Sequence, residues 1–170
     1  FGLGTVGRDM FYSLESMYLL FFLTEVRQLD GAMLALVGGV LTVLRILDAF
    51  NDPITGVIID NTHSRWGKFK PWILTGALVS AVCLLVLFGD IPVTGAAYVV
   101  IFALAYILWD IFYGVNDIAY WTLLPALSLD QQQRERYGAF ARICANIGMY
   151  AVVVGVLPAT SALTDAFGGD

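Results

Sequence analysis

The chain has 170 residues, of which 59% are hydrophobic and 14% charged, with a mean hydropathy of +0.78. A water-soluble domain carries about a quarter charged residues, so this composition excludes a disordered chain and argues against a soluble enzyme domain. Nine Lys+Arg against fourteen Asp+Glu give a net charge of -5, which leaves no basic face for nucleic acid. The chain opens on Phe1 and stops in Gly168-Gly169-Asp170, from which a piece of a larger membrane protein is expected. Cys83 and Cys144 both sit inside apolar runs and read as small buried hydrophobes, neither a disulfide framework nor a metal site.

A helix needs about 20 mostly apolar residues to cross a hydrocarbon core of roughly 30 Å. Five spans are predicted, over roughly 10–25, 33–59, 72–89, 93–124 and 138–163. Trp72 to Gly89, Val93 to Trp109 and Ile147 to Leu163 contain no charge, whereas the first two spans carry acids. The second is long enough to tilt or protrude, and Pro125 helps to end the fourth. Of the short connections, the second holds Arg65, Lys68 and Lys70, and the fourth holds Arg134 and Arg136. The other two hold Arg27 alone. The positive-inside rule then places the second and fourth loops, and the amino terminus, in the cytoplasm of a multi-pass plasma-membrane protein.

A charged side chain at mid-bilayer costs at least about 2.5 kcal/mol. Yet Asp9, Glu15, Arg45, Asp48, Asp52, Asp110, Asp117 and Arg142 lie in or at the ends of the predicted spans. Such groups either line a wet cavity or neutralise one another. In span two, helical spacing puts Asp48, Asn51 and Asp52 on one face, with Arg45 a turn earlier. Two carboxylates and an amide oxygen suit a hard cation such as Na+, or a shared proton. Pro53 loosens the carbonyls before it. The competing reading is an Arg45–Asp48 ion pair joining helices.

In span four, Tyr106, Asp110, Tyr113, Gly114, Asp117 and Trp121 recur every three or four residues. A carboxylate accepting hydroxyl hydrogen bonds beside aromatic faces that stack on C–H groups makes a sugar site. The alternative is an aromatic packing stripe with Asp117 met by an arginine. In span one, Asp9, Tyr12, Ser13 and Ser16 share a face and Glu15 falls on another. Arg142 of span five either joins Asp9 or Asp117, or snorkels to the interface. In the second loop, Gly56 allows close packing, Asp60 caps a helix or pairs with an arginine, and the basic residues face anionic headgroups. His63, the sole histidine, sits there too. No nucleophile–base pair and no metal spacing appears, so neither an enzyme nor a cofactor is expected.

Gly56-x-x-x-Asp60-x-x-x-x-Arg65-x-Gly67-Lys68-x-Lys70 resembles the loop motif of the major facilitator superfamily. Five stretches resemble its glycoside–pentoside–hexuronide:cation symporter family, whose type member is the melibiose permease. They are Phe1 to Asp9, Tyr18 to Glu25, Arg45-Ile-Leu-Asp48-Ala-Phe-Asn51-Asp52-Pro53, Ser64 to Trp72, and Asp117 to Pro125. The resemblance implies an all-α membrane protein, a major-facilitator-type helix bundle of which this chain supplies about five of twelve spans. The inverted three-helix repeat would be incomplete and the carboxy-terminal half absent.

The resemblance also implies a cation site at Asp48, Asn51 and Asp52 and a sugar site at Arg8, Asp9, Tyr113, Asp117, Trp121 and Arg142. Gly114 stands where the melibiose permease has a threonine that contributes to sodium coordination, which shifts the balance from Na+ towards H+. The function expected is cation-coupled sugar symport by alternating access, with the bilayer and the other half as partners. The alternatives are a lysolipid or other amphiphile carrier of the same fold, or a non-transporting membrane component.

Overall fold

The computed structural model describes residues 2–89, 92–93, 95–128 and 130–167, without the side chains of Asp48 and Phe167. Among the described residues all regular structure is helical. The first helix is assembled from α1 (Gly2–Ser13), π1 (Leu14–Tyr18), α2 (Leu19–Phe21) and π2 (Phe22–Val26). It is followed by α3 (Gly31–Asp60), α4 (Lys70–Leu87), α5 (Ala96–Leu127) and α6 (Gln131–Phe167). Three helices, over Lys70–Leu87, Ala96–Leu127 and Gln131–Ala166, are long and apolar enough to cross a bilayer. α3 makes a fourth if its arms, Gly31–Leu47 and Ala49–Asp60, count as one span across a 47° bend. The bend falls where Pro53, lacking an N–H and crowding the carbonyl four residues back, disrupts the ladder.

Local chemistry sets the helix ends. Asp30 caps α3 by accepting from the Met33 N–H at 2.9 Å, a usual N-cap device. Pro71 occupies the first turn of α4, where its missing N–H costs nothing. α6 starts at Gln131, earlier than the apolar pattern alone suggests, because Asp130 accepts from the Gln132 N–H at 3.1 Å. α5 continues through Pro125 to Leu127, so Pro125 lies in its last turns and does not end it.

The chain divides into two compact units, residues 1–21 with 128–170, and residues 22–127. In the first unit α1 packs on α6. Thr5, fully buried, donates its hydroxyl to the carbonyl of Ala141 at 2.9 Å, and Gly148 lets α6 lie against the Val6 backbone. Tyr18 donates to the Val153 carbonyl at 3.0 Å. Buried positions Glu15 and Leu19 lie four residues apart, a spacing that the wider turn of π1 keeps on one side.

In the second unit α5 is central and packs on both α3 and α4. Gly76 of α4 faces the Phe112 carbonyl and the side chain of Asn116, where a Cβ would come within 2.7 and 2.8 Å. Leu74, Leu78, Val82 and Leu85 of α4 are all exposed at spacings that form one apolar face. That face suits lipid and would be untenable in water.

Candidate functional site

The α3 face that carries the span-two acids belongs to the second unit. Asp48 is helical, but its side chain lies outside the described residues. Asn51 is half-buried and Asp52 exposed. The Asp52 carboxylate reaches α5, where Oδ1 stands 4.0 Å from the position a Cβ would take on Gly114. Asp52 of α3 and the stripe of α5 therefore approach one another at the glycine itself. Any hydroxyl placed there would be near enough to share a ligand with Asp52.

One turn along α5, Trp121 donates its indole N–H to Asp117 Oδ1 at 3.1 Å. Tyr113, Asp117 and Trp121 are all half-buried, and spacings of four put them on one face. Trp121 also meets Tyr120 edge-on at 6.0 Å. A carboxylate oriented by an indole, on a helix face that also carries a tyrosine, can accept sugar hydroxyls while a ring face covers C–H groups.

Arg8, Asp9 and Arg142 belong to the first unit. Arg8 pairs with its neighbour Asp9 at 3.2 Å, and both side chains are largely buried at 10% and 17% exposure. Burial in an apolar setting strengthens such a pair only when both charges keep partners. Arg142 projects from α6 as an exposed side chain. Glu15, 4% exposed in π1, lies on the packed side of the helix. Ser16 is exposed and does not continue the face begun by Ser13.

At the end of α3, Asp60 pairs with Lys68 at 2.6 Å, so its partner is a lysine and not an arginine. Gly67 turns the loop at φ +93°, a conformation suited to glycine, and its N–H donates to the Ser64 carbonyl at 2.9 Å. Trp72 donates to the Thr62 hydroxyl at 2.9 Å, tying the start of α4 to the loop. The Arg65 guanidinium lies 6.0 Å from the Trp66 ring centre. His63 is exposed, with Nδ1 2.9 Å from the Asn61 carbonyl. Gly56 has open space around it, with nothing within 4 Å of an added Cβ. Close helix packing is seen at Gly76, where an added Cβ would meet α5.

The chain matches the family described as "MFS/sugar transport protein" over residues 1–166. It belongs to that family. Its members form multi-pass helical membrane proteins, in keeping with the apolar helices described above. The chain is 40% identical to the lactose permease of Lactobacillus delbrueckii subsp. bulgaricus over 164 residues, covering 91% of this chain and 26% of that protein. It is 40% identical to the raffinose carrier protein of Pediococcus pentosaceus, covering 94% of the chain and 26% of the relative. Against the isoprimeverose transporter of Lactiplantibacillus pentosus it is 34% identical over 95% of the chain and 32% of the relative. The chain thus spans about a quarter to a third of the relatives' length, and these relatives are named as permeases, carriers and transporters, not enzymes.

Two features of this family member's second unit go beyond what its sequence pattern suggested: a contact of Arg27 and an extension of the stripe that holds Tyr106 and Tyr113. Arg27 lies over the ring of Tyr98, with its guanidinium carbon 4.8 Å from the ring centre. Tyr98, Phe102, Tyr106, Trp109 and Tyr113 form a continuous row, with neighbouring centroids 6.1, 6.1, 5.5 and 5.3 Å apart. The spacing of four, four, three and four was the signal that could have found it.

Proposed function

We propose that this chain forms part of a secondary transporter that moves a short glycoside through the membrane together with a cation, by alternating access. The observation that carries the reading is the approach of Asp52 on α3 to Gly114 on α5, beside the stripe in which Asp117 holds Trp121. A carboxylate in an apolar span needs a compensating positive charge, which the bound cation would supply, with Asp48 and Asn51 proposed as further ligands from the same helix. The relatives' names support a sugar cargo, since lactose, raffinose and isoprimeverose are di- and trisaccharides.

Cation binding at Asp48 and Asp52 removes the repulsion between two acids and lets α3 and α5 approach. That orders Tyr113, Asp117 and Trp121 for the sugar, so each ligand raises affinity for the other by reciprocal coupling. Glycine at position 114 brings no hydroxyl to the cation, and Na+ favours about six oxygen ligands as other hard cations do. H+ is therefore the coupling ion in this proposal. Arg8, Asp9 and Arg142 remain proposed sugar contacts, and the basic loops are proposed to face the cytoplasm.

The test is uptake of lactose, raffinose and isoprimeverose by vesicles holding the complete gene product that carries this chain. Accumulation driven by an inward proton gradient, and lost in Asp48→Asn and Asp52→Asn while sugar exchange persists, is the expected result. Undiminished gradient-driven uptake in both variants overturns the cation assignment. Failure to move any sugar, with transport of a lysolipid instead, overturns the cargo.

A further inference from the structure

The aromatic row of α5 extends beyond the residues to which the sugar site was assigned. Trp109 lies one turn before Tyr113, with the two ring planes 12° apart and their centroids 5.3 Å apart. Tyr106 flanks Trp109 on the other side at 5.5 Å, tilted by 44°. Tyr98, Phe102, Tyr106 and Trp109 are all at most 2% exposed, whereas Tyr113 is only half-buried. The row is thus anchored along most of its length and opens at the tyrosine next to Gly114.

Trp109 brings a feature that packing alone does not call for. Its Nε1–H is buried and finds no hydrogen-bond partner among the described residues. Leaving a buried donor unmatched destabilises, and phenylalanine would fill an apolar position without that penalty. The flat face of the indole lies parallel to the Tyr113 ring.

The geometry points to Trp109 as a positioning residue that fixes the plane of Tyr113 against the sugar. This rests on the sugar-site reading above. A tyrosine side chain can swing about its first torsion and tilt about its second. Rotation of either would break the parallel contact with the indole. With one face held in this way, the Tyr113 ring is presented in a single orientation. Stacking on the C–H groups of a pyranose depends on that tilt, so a ring ordered beforehand binds more tightly than one that must be ordered on binding. Trp109 is too deeply buried to touch the sugar and acts through Tyr113.

The experiment compares Trp109→Phe with Trp109→Leu in the complete transporter that carries this chain. Phenylalanine keeps a flat ring behind Tyr113; leucine keeps apolar bulk without a plane. Trp109→Phe is expected to hold the sugar KM within about twofold of the parent, and Trp109→Leu to raise it roughly five- to tenfold with maximal rate retained. In a Tyr113→Ala background the leucine substitution should add no further loss, because the ring it positions is gone. Trp109→Met serves the same comparison if the leucine variant does not reach the membrane. Equal shifts in the phenylalanine and leucine variants, or a full loss on top of Tyr113→Ala, overturn the positioning role. A parent protein that transports no sugar overturns the cargo reading, and this inference with it.

Discussion

Asn116 of α5 donates its side-chain amide to the backbone carbonyl of Ile73 on α4 at 2.7 Å. The bond is part-buried and lies near Gly76, where an added Cβ would meet the α5 backbone. Hydrogen bonds between membrane helices are worth about 0.6 kcal/mol on average and up to about 1.7 kcal/mol. Asn116→Ala should therefore lower stability within that range, read as a drop in the thermal midpoint of the detergent-purified protein. An unchanged midpoint would show that the bond contributes nothing beyond what the unfolded state recovers.

Gly76 and Gly56 form a paired test of helix approach. A Cβ at Gly76 meets backbone, which cannot swing aside, whereas one at Gly56 meets open space. Gly76→Val should cost more than about 2 kcal/mol by forcing α4 from α5. Gly56→Ala should be neutral or gain up to about 1 kcal/mol from helix propensity. Yield of folded protein by size-exclusion chromatography and the thermal midpoint check both. Equal behaviour would show that the α4–α5 contact is not as close as described.

Lys68 and Asp60 make a short ion pair, yet their side chains are 37% and 63% exposed. Exposed pairs contribute between zero and about 1 kcal/mol. Lys68→Ala should shift the thermal midpoint little, and by less at high salt than at low. A large loss of stability would mean that the lysine has a structural partner besides Asp60.

The fold was legible wherever composition alone decides it. Uncharged runs such as Trp72 to Gly89 have no stable place but a helix in lipid, and α4 follows that run closely. The acid face of α3 was legible too, because offsets of three and four need only regular helical winding. What the sequence concealed came from contacts between segments and from departures from that winding. Nothing local marks Gly76, and not Gly56, as the glycine pressed against another helix; the distinction depends on Phe112 and Asn116, some 40 residues away. Glu15 was assigned by a period of 3.6, but π1 changes the winding at that residue. The row from Tyr98 to Tyr113 is half legible, because Tyr106 and Tyr113 stand a helical turn from acids whereas Tyr98, Phe102 and Trp109 look like any apolar residues of a span.

Gly114 tests the coupling ion. Threonine there would place a hydroxyl next to Asp52 Oδ1, which lies 4.0 Å from the added Cβ. If the proposed H+ coupling reflects a missing oxygen ligand, Gly114→Thr should make sugar uptake respond to Na+, lowering the sugar KM at least about threefold when Na+ replaces K+. Uptake measured in vesicles at fixed pH with the two salts decides it. The same insensitivity to Na+ in parent and variant would remove Gly114 from the choice of ion.

The π turns of the first helix carry a consequence for length. Each π turn takes up about one residue more than an α turn over the same stretch of axis. Removing one residue from Leu14–Tyr18 or from Phe22–Val26 would let that turn rewind as α-helix while the residues on either side kept their orientation. A deletion in α4 or α5 would instead rotate everything beyond it by about 100°. The first helix thus holds slack that α4 and α5 lack.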